Sequence, residues 1–163
     1  MIAQNIAFGI LAAAMAAAAI KVVTTKNVVH AALYLIVVLA GVAGIYVLLA
    51  AEFVAIVQIL VYIGAIVVLF LFGVMLTRAP IGRDDRLDND QRVAAAIVSL
   101  FLFGVLGAVL VNAFHRVHVN PSTVQRTNDV AVSIFQTYVI PFEVISVVLL
   151  AALVGAVVIA RRD

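Results

Sequence analysis

A few polar residues and one glycine interrupt this apolar chain where proton transfer or water binding would be chemically possible. Glu52, Gln58, Tyr62 and Gly64 follow one another within a single stretch, and Glu143 stands near the start of another. A carboxylate or a histidine can carry a proton, an amide or a phenol can bind water, and a glycine leaves the backbone uncovered. These residue types indicate a path for protons or water, provided that the surrounding elements bring them together.

The spacing of the first group favours contact between two of its members. Gln58 and Tyr62 are four residues apart, so a regular helix would stack them on one face, where they could share a hydrogen bond or a water molecule. Gly64 weakens the same helix by about 1 kcal/mol relative to alanine. An alternative interpretation is that Gly64 and Ala65 form a close-packing patch between helices, and that Tyr62 is an ordinary buried tyrosine bonded to a neighbour.

The element that must position these residues is a membrane-spanning helix. Residues 53–76 carry no formal charge, and at about 1.5 Å per residue they reach across a hydrocarbon layer of about 30 Å. The whole chain has 163 residues, of which 67% are hydrophobic and 11% charged, with a mean hydropathy of +1.29. This composition excludes a soluble domain and predicts several membrane spans.

Composition also limits the chemistry. The chain has no cysteine, so it cannot supply thiolate ligands to an iron–sulfur cluster or a zinc ion. Its net charge is only +2, and the cations stand at the ends of apolar stretches, which argues against nucleic-acid binding. We therefore expect no thiolate-bound metal or cluster in this chain. No polar stretch is long enough to form a separate soluble core, so we also expect no aqueous active site, and a lipid bilayer around the chain.

Apolar length predicts an all-α integral membrane protein that forms one domain over residues 1–163. Five transmembrane helices are expected at about residues 2–22, 29–50, 53–77, 93–114 and 139–160. The first is interpreted as a retained helix, because its first cation, Lys21, follows the apolar run, whereas a signal peptide carries positive charge ahead of it. Small residues in the second and fourth spans, Gly41, Gly44, Gly104 and Gly107, predict packing surfaces.

The distribution of positive charge predicts the orientation of the chain. With the N-terminus outside, eight of the ten Lys and Arg residues fall on the inner side and only Arg116 and Arg126 on the outer side. This satisfies the positive-inside rule, so we predict the N-terminus outside and the C-terminus inside.

The connections between the spans contain further candidates. Asp88, Asn89 or Asp90 is expected to cap the fourth span, and a metal site among the aspartates of residues 84–90 is disfavoured by the arginines between them. His115 and His118 have ligand-like spacing but lack a third ligand. Residues 129–138 predict a short interfacial helix capped by Asn128, and its apolar face consists of Val132, Phe135 and Tyr138.

The two carboxylates allow two interpretations. Glu52 and Glu143 each begin an apolar span on the predicted outer side, where a carboxylate is stabilised by the helix dipole. An acidic residue at membrane depth also needs a partner or a water-filled cavity, which would place either one on a proton path. His30, near the inner end of the second span, is either a packed histidine or a proton relay.

Two stretches carry a family resemblance. Residues 57–76, VQILVYIGAIVVLFLFGVML, and residues 141–162, PFEVISVVLLAALVGAVVIARR, resemble the third and last helices of the J subunit of bacterial proton-pumping NADH:quinone oxidoreductase, respiratory complex I. This subunit is the counterpart of mitochondrial chain 6. The number and spacing of the spans extend the resemblance over nearly the whole chain.

The resemblance implies a non-catalytic subunit in a bacterial plasma membrane. Flavin, iron–sulfur clusters and quinone would belong to its partners, which are the other membrane and peripheral subunits of complex I, including the quinone-cavity and antiporter-like subunits. It further implies a π-bulge at Tyr62 and Gly64 in a helix that rotates, with Val68 and Met75 on the turning part. That rotation would open and close a water path between quinone reduction and proton translocation.

Two other functions remain open from the residues alone. One is a small homo-oligomeric transporter or channel, which would need a strongly polar residue in mid-membrane that the spans nearly lack. The other is a structural spacer between other membrane proteins.

Overall fold

The computed structural model describes residues 2–76, 91–115 and 126–161, and every regular element within these ranges is a helix. Five helices are long and apolar enough to cross a membrane, as predicted. Their bounds lie within two residues of the predicted ones, because the apolar length of each stretch determines where it can leave the hydrocarbon layer. In chain order the helices are α1 (Ile2–Thr24), α2 (Val28–Leu48), α3 (Glu52–Leu76), α4 (Arg92–Phe114) and, after a short helix, α6 (Val139–Ala160).

Helices α1 and α2 form a closely packed hairpin. The side chain of Asn27 caps α2, where its Oδ1 accepts hydrogen bonds from the backbone N–H groups of Val29 at 2.9 Å and His30 at 3.3 Å. A Cβ atom at Gly41 would collide with the side chain of Met15 on α1. The glycine of α2 is therefore the packing surface that its sequence predicted, since only a bare backbone admits this approach.

Helices α2 and α3 are joined by a tight turn of three residues. Ala50 has a left-handed backbone with φ of 56°, and the hydrogen bonds that end α2 run from Ala51 N–H to Tyr46 O at 2.9 Å and from Ala50 N–H to Val47 O at 3.0 Å. This is a Schellman motif with alanine where glycine is usual. The turn makes α3 antiparallel to α2, and α3 packs along it.

Helix α4 stands apart from the α1–α3 bundle. It packs on no other helix within the described ranges, and Cβ atoms at Gly104 and Gly107 would meet nothing within 4 Å. The packing surface predicted for this span thus has no partner among the described residues.

The short helix α5 (Thr127–Val132) continues as a π-helix over Ser133–Thr137. It begins earlier than predicted, and the proposed cap, Asn128, was wrong because this residue lies inside the helix. The backbone N–H of Arg126 instead donates to Asp129 Oδ2 at 3.0 Å. The carboxylate reaches back to the first residue, so the helix starts there.

Several predicted features fall outside the described residues. These are the aspartates of residues 84–90 and His118. The cap predicted for α4 at Asp88, Asn89 or Asp90 was wrong, because α4 begins at Arg92 and its N-cap position is Gln91, whose side chain makes no capping hydrogen bond. The predicted orientation of the termini stays a prediction.

Candidate functional site

Helix α3 changes its hydrogen-bonding pattern in the middle of the membrane span. It begins as an α-helix over Glu52–Val57, becomes a π-helix over Gln58–Val67, and returns to an α-helix over Val68–Leu76. In a π-helix each backbone N–H bonds to the carbonyl five residues back, which makes the turns wider. Tyr62 and Gly64 both lie in this π-helical segment, whereas Val68 and Met75 lie in the α-helix beyond it.

The sheltered face of α3 follows the wider turns. Ala55 is 3% exposed, Gln58 7% and Val67 1%. Nine regular α-helical steps of about 100° would place Gln58 and Val67 on opposite sides of the helix. The buried or partly buried positions from Ala55 onward are instead Ala55, Val57, Gln58, Ile63, Val67, Leu71 and Val74, so five residues separate Gln58 from the next sheltered one.

The π-helical segment separates the two polar side chains that a regular helix would stack. Gln58 is buried on the side of α3 that packs against α2, whereas Tyr62 is 47% exposed. No hydrogen bond joins their side chains in the part of the chain that the structure describes. The prediction that they share a face was therefore wrong, because the five-residue step gives the sheltered position after Gln58 to Ile63.

Gly64 turns its bare backbone away from the bundle. It is exposed, as is Ala65, so neither residue packs two helices of this chain together. A Cβ atom at Gly64 would lie 3.4 Å from the carbonyl oxygen of Ile59, the residue five positions earlier, which is an ordinary contact. Nothing among the described residues thus requires glycine here, and the uncovered backbone is available to whatever surrounds α3.

Val68 and Met75 lie on one exposed side of the last part of α3. They are seven residues apart, which is about two turns of an α-helix, so they share a face. Val68 is 44% exposed although the adjacent Val67 is the most deeply buried large side chain of the described residues. This contrast marks the boundary between the side of α3 that packs on α2 and the side that does not.

The two carboxylates occupy different positions in their helices. Glu52 is the first residue of α3, whereas Glu143 is the fifth residue of α6, beyond its first turn. Both are exposed, and neither has an ion-pair partner within the described ranges. The helix dipole therefore accounts for Glu52 better than for Glu143, since its effect falls off within the first turn.

Comparison with known proteins identifies the family of this chain. Residues 18–159 match the family described as NADH-ubiquinone/plastoquinone oxidoreductase chain 6. The chain belongs to this family. The match includes all of α2 to α5 and all but the last residue of α6, so the resemblance seen in residues 57–76 and 141–162 is confirmed.

Curated relatives in the chain 6 family match over most of their length. F(420)H(2) dehydrogenase subunit J of Methanosarcina mazei is 40% identical over 163 residues, which cover 98% of this chain and 92% of the relative. NAD(P)H-quinone oxidoreductase chain 6 is 38% identical in Leptolyngbya boryana, covering 98% and 81%. In Synechocystis it is 39% identical, covering 98% and 82%. The chain is thus a multi-pass membrane protein from a family of oxidoreductase subunits.

Proposed function

We propose that this chain is a membrane-arm subunit of a proton-translocating NADH:quinone oxidoreductase, and that α3 acts as a gate. The observation that carries the proposal is the π-helical segment Gln58–Val67 inside an otherwise α-helical membrane span. Such segments within α-helices are frequent at functional sites, because their wide turns are less favourable than regular ones and need a reason to persist.

Conversion of the π-helical segment to a regular α-helix would turn one end of α3 relative to the other. In the π-helical form the next sheltered residue after Gln58 is five positions further on, one more than in an α-helix. A return to four-residue steps would therefore rotate the part of α3 beyond Gln58 by about 100° relative to the part before it. Residues four, seven and eleven positions beyond Gln58 would then face α2: Tyr62, Ala65 and Leu69. Val67 would leave its buried position at the same time.

The membrane permits this change because both forms satisfy the backbone. Each N–H exchanges a carbonyl five residues back for one four residues back, so no group is left unbonded in hydrocarbon. Gly64 has no side chain to obstruct the movement. A gate of this kind requires two forms within a few kcal/mol of each other, which events in a neighbouring subunit can bias.

Tyr62 is the residue through which the gate would control water. In the π-helical form it faces away from α2, and after rotation it would stand beside Gln58. An amide and a phenol placed together could hold a chain of water molecules across the middle of the span, where hydrophobic residues otherwise exclude water. The water path would connect quinone reduction to proton translocation in the antiporter-like subunits.

Redox chemistry is assigned to the partner subunits. The relatives' names specify different electron donors, F(420)H(2) in one and NAD(P)H in others, although each is 35–40% identical to this chain. A family whose members occur with different electron donors is better suited to transmit the reaction than to bind the donor. Flavin, iron–sulfur clusters and quinone would therefore be held by the quinone-cavity subunit and the peripheral subunits.

The exposed helices α4 and α6 would be covered by those partners and by lipid. We assign the assembled subunit to a bacterial plasma membrane with its N-terminus outside, as the positive-inside rule predicts. Glu52 and Glu143 would stabilise the outer ends of α3 and α6.

The gate is tested by Gly64→Val, with Gly9→Val on α1 as the matched control, because Gly9 is exposed and a Cβ atom there would meet nothing within 4 Å. A β-branched side chain on the uncovered face of α3 should obstruct rotation and lower the number of protons pumped per NADH oxidised, while the control should not. The measurement is proton uptake by vesicles that contain the assembled enzyme. Normal assembly with an unchanged proton-to-electron ratio in Gly64→Val would contradict gating.

Membership of a large assembly is tested separately. When the chain is purified from its native membrane in mild detergent, it should co-purify with a complex that contains flavin and iron–sulfur clusters. A small homo-oligomer without these cofactors would instead support an independent transporter or channel.

A further inference from the structure

The short segment of residues 127–137 joins two parts of the molecule that otherwise do not meet. Its first part, α5, packs on the initial α-helical part of α3, Glu52–Val57, and its π-helical part contacts the start of α6, the helix that follows it directly in the chain. Helix α6 packs on no other element within the described ranges. In that part of the chain, residues 127–137 are thus the connection between the α1–α3 bundle and α6.

Local hydrogen bonds fix the backbone at both ends of the segment. At its start the Arg126 N–H donates to Asp129 Oδ2 at 3.0 Å, and at its end the Tyr138 N–H donates to the Ser133 carbonyl at 3.0 Å, closing a π-helical turn. The ring of Phe135 in the segment and the ring of Phe142 in α6 meet edge to face, with centroids 5.2 Å apart and an interplanar angle of 65°. Aromatic pairs in this geometry add stability beyond the area that they bury.

The segment presents its two sides differently. Its partly buried residues are Val130, Ala131, Ser133 and Ile134. Phe135 and Val132 are exposed on the other side, as expected for the apolar face predicted from the sequence. The side toward the bundle therefore packs, while Phe135 leaves that side and reaches α6 through Phe142.

We propose that residues 127–137 form a brace that ties the first part of α3 to α6 and, through α6, to the partner subunits that cover it, so that the register change is taken up beyond Gln58. This inference rests on the proposed gating function. When a helix changes register, the end with more attachments stays in place. The first part of α3 is attached through the tight turn at Ala50, by packing on α2, and by the brace, whereas Val68–Leu76 packs only on α2 and on the π-helical segment before it, within the described ranges.

Phe135 and Phe142 are positioning residues in this proposal, since they act on α3 through the brace. The test uses the assembled enzyme with Phe135→Ala, Phe142→Ala and both changes together. Val132→Ala is the matched control, because Val132 is exposed on the same segment and lies outside the ring pair. Hydrogen–deuterium exchange is measured in the peptide that contains residues 52–57 and, for comparison, in residues 2–24.

Each single variant should raise amide exchange in residues 52–57 by about two- to tenfold, because loss of the ring pair releases one end of the brace. The double variant should add little to either single one, since both remove the same contact. Exchange in residues 2–24 and in the Val132→Ala control should not change. The proton-to-electron ratio should fall in the Phe variants. Without the brace, residues 52–57 would no longer be held in place, and α3 would turn as a whole.

Two results would overturn the brace. One is unchanged exchange in residues 52–57 in both Phe variants; the other is raised exchange with an unchanged proton-to-electron ratio. If Phe135→Ala prevents assembly, Phe135→Leu keeps apolar bulk without the ring and is judged by the same two results. The gating function itself fails by a different observation, intact coupling in Gly64→Val, so the two failures are distinguishable.

Discussion

Val67→Ala should shift α3 out of its π-helical form. Val67 is 1% exposed in this form, whereas a regular α-helix would turn position 67 away from α2. The substitution removes two methyl groups from the buried site and leaves a cavity only when the segment is π-helical. We expect the π-helical form to lose about 1 to 2 kcal/mol relative to the α-helical form.

That loss corresponds to a change of about 5- to 30-fold in the ratio of the two forms. Single-particle maps of the assembled enzyme during turnover, sorted by the conformation of residues 58–67, would measure the ratio directly. Val68→Ala is the matched control, since the adjacent Val68 has the same side chain but is 44% exposed. It should leave the ratio nearly unchanged.

The reasoning is refuted if Val67→Ala and Val68→Ala shift the ratio equally, since burial would then not distinguish the two forms. It is also refuted if every particle of Val67→Ala retains the π-helical segment during turnover. A cavity that is tolerated without any change of form would mean that α2 relaxes onto α3 and that the helix has no second register.

Three further substitutions test the framework around the gate. Asn27→Ala should lower the stability of the α1–α2 hairpin by about 1 kcal/mol, because two capping hydrogen bonds are lost. Asn27→Ser should recover most of the lost stability. Both are measured by thermal unfolding of the detergent-solubilised protein. Gly41→Leu should prevent packing against Met15 and reduce the yield of assembled enzyme, whereas Gly9→Leu meets no atom of the described chain and should retain its fold. Glu143→Gln should assemble and pump normally if Glu143 anchors α6; normal assembly with lost proton uptake by vesicles would assign it to the proton path instead.

The separation of α4 and α6 from the bundle bears on how this family assembles. A membrane helix without neighbours of its own chain is as stable against lipid as any other apolar helix, so nothing within the described chain draws α4 toward α3. Association in a bilayer depends on close packing, and Gly104 and Gly107 leave room for it. The fold is therefore consistent with a subunit whose packing is completed by partners.

The number and bounds of the spans could be read from the sequence because a membrane sets them by length. A run of about 20 apolar residues has one stable place, across the hydrocarbon layer, whatever its neighbours are. The two family stretches, residues 57–76 and 141–162, were likewise recognisable from residue order alone. The lack of cysteine excludes thiolate-bound cofactors whatever the fold, since no arrangement of the other residues can supply a thiolate.

The family resemblance implied a π-bulge at Tyr62 and Gly64, but the residues themselves did not indicate the register of α3. The burial of Gln58 and the exposure of Tyr62 depended on tertiary structure. Helix α3 is apolar on all sides, so its sequence has no polar face to indicate which residues should be sheltered. A backbone N–H bonds more favourably four residues back than five, so packing against α2 must favour the wider turns for them to persist. The same holds for residues 127–137, whose place between α3 and α6 follows from contacts between residues far apart in the chain.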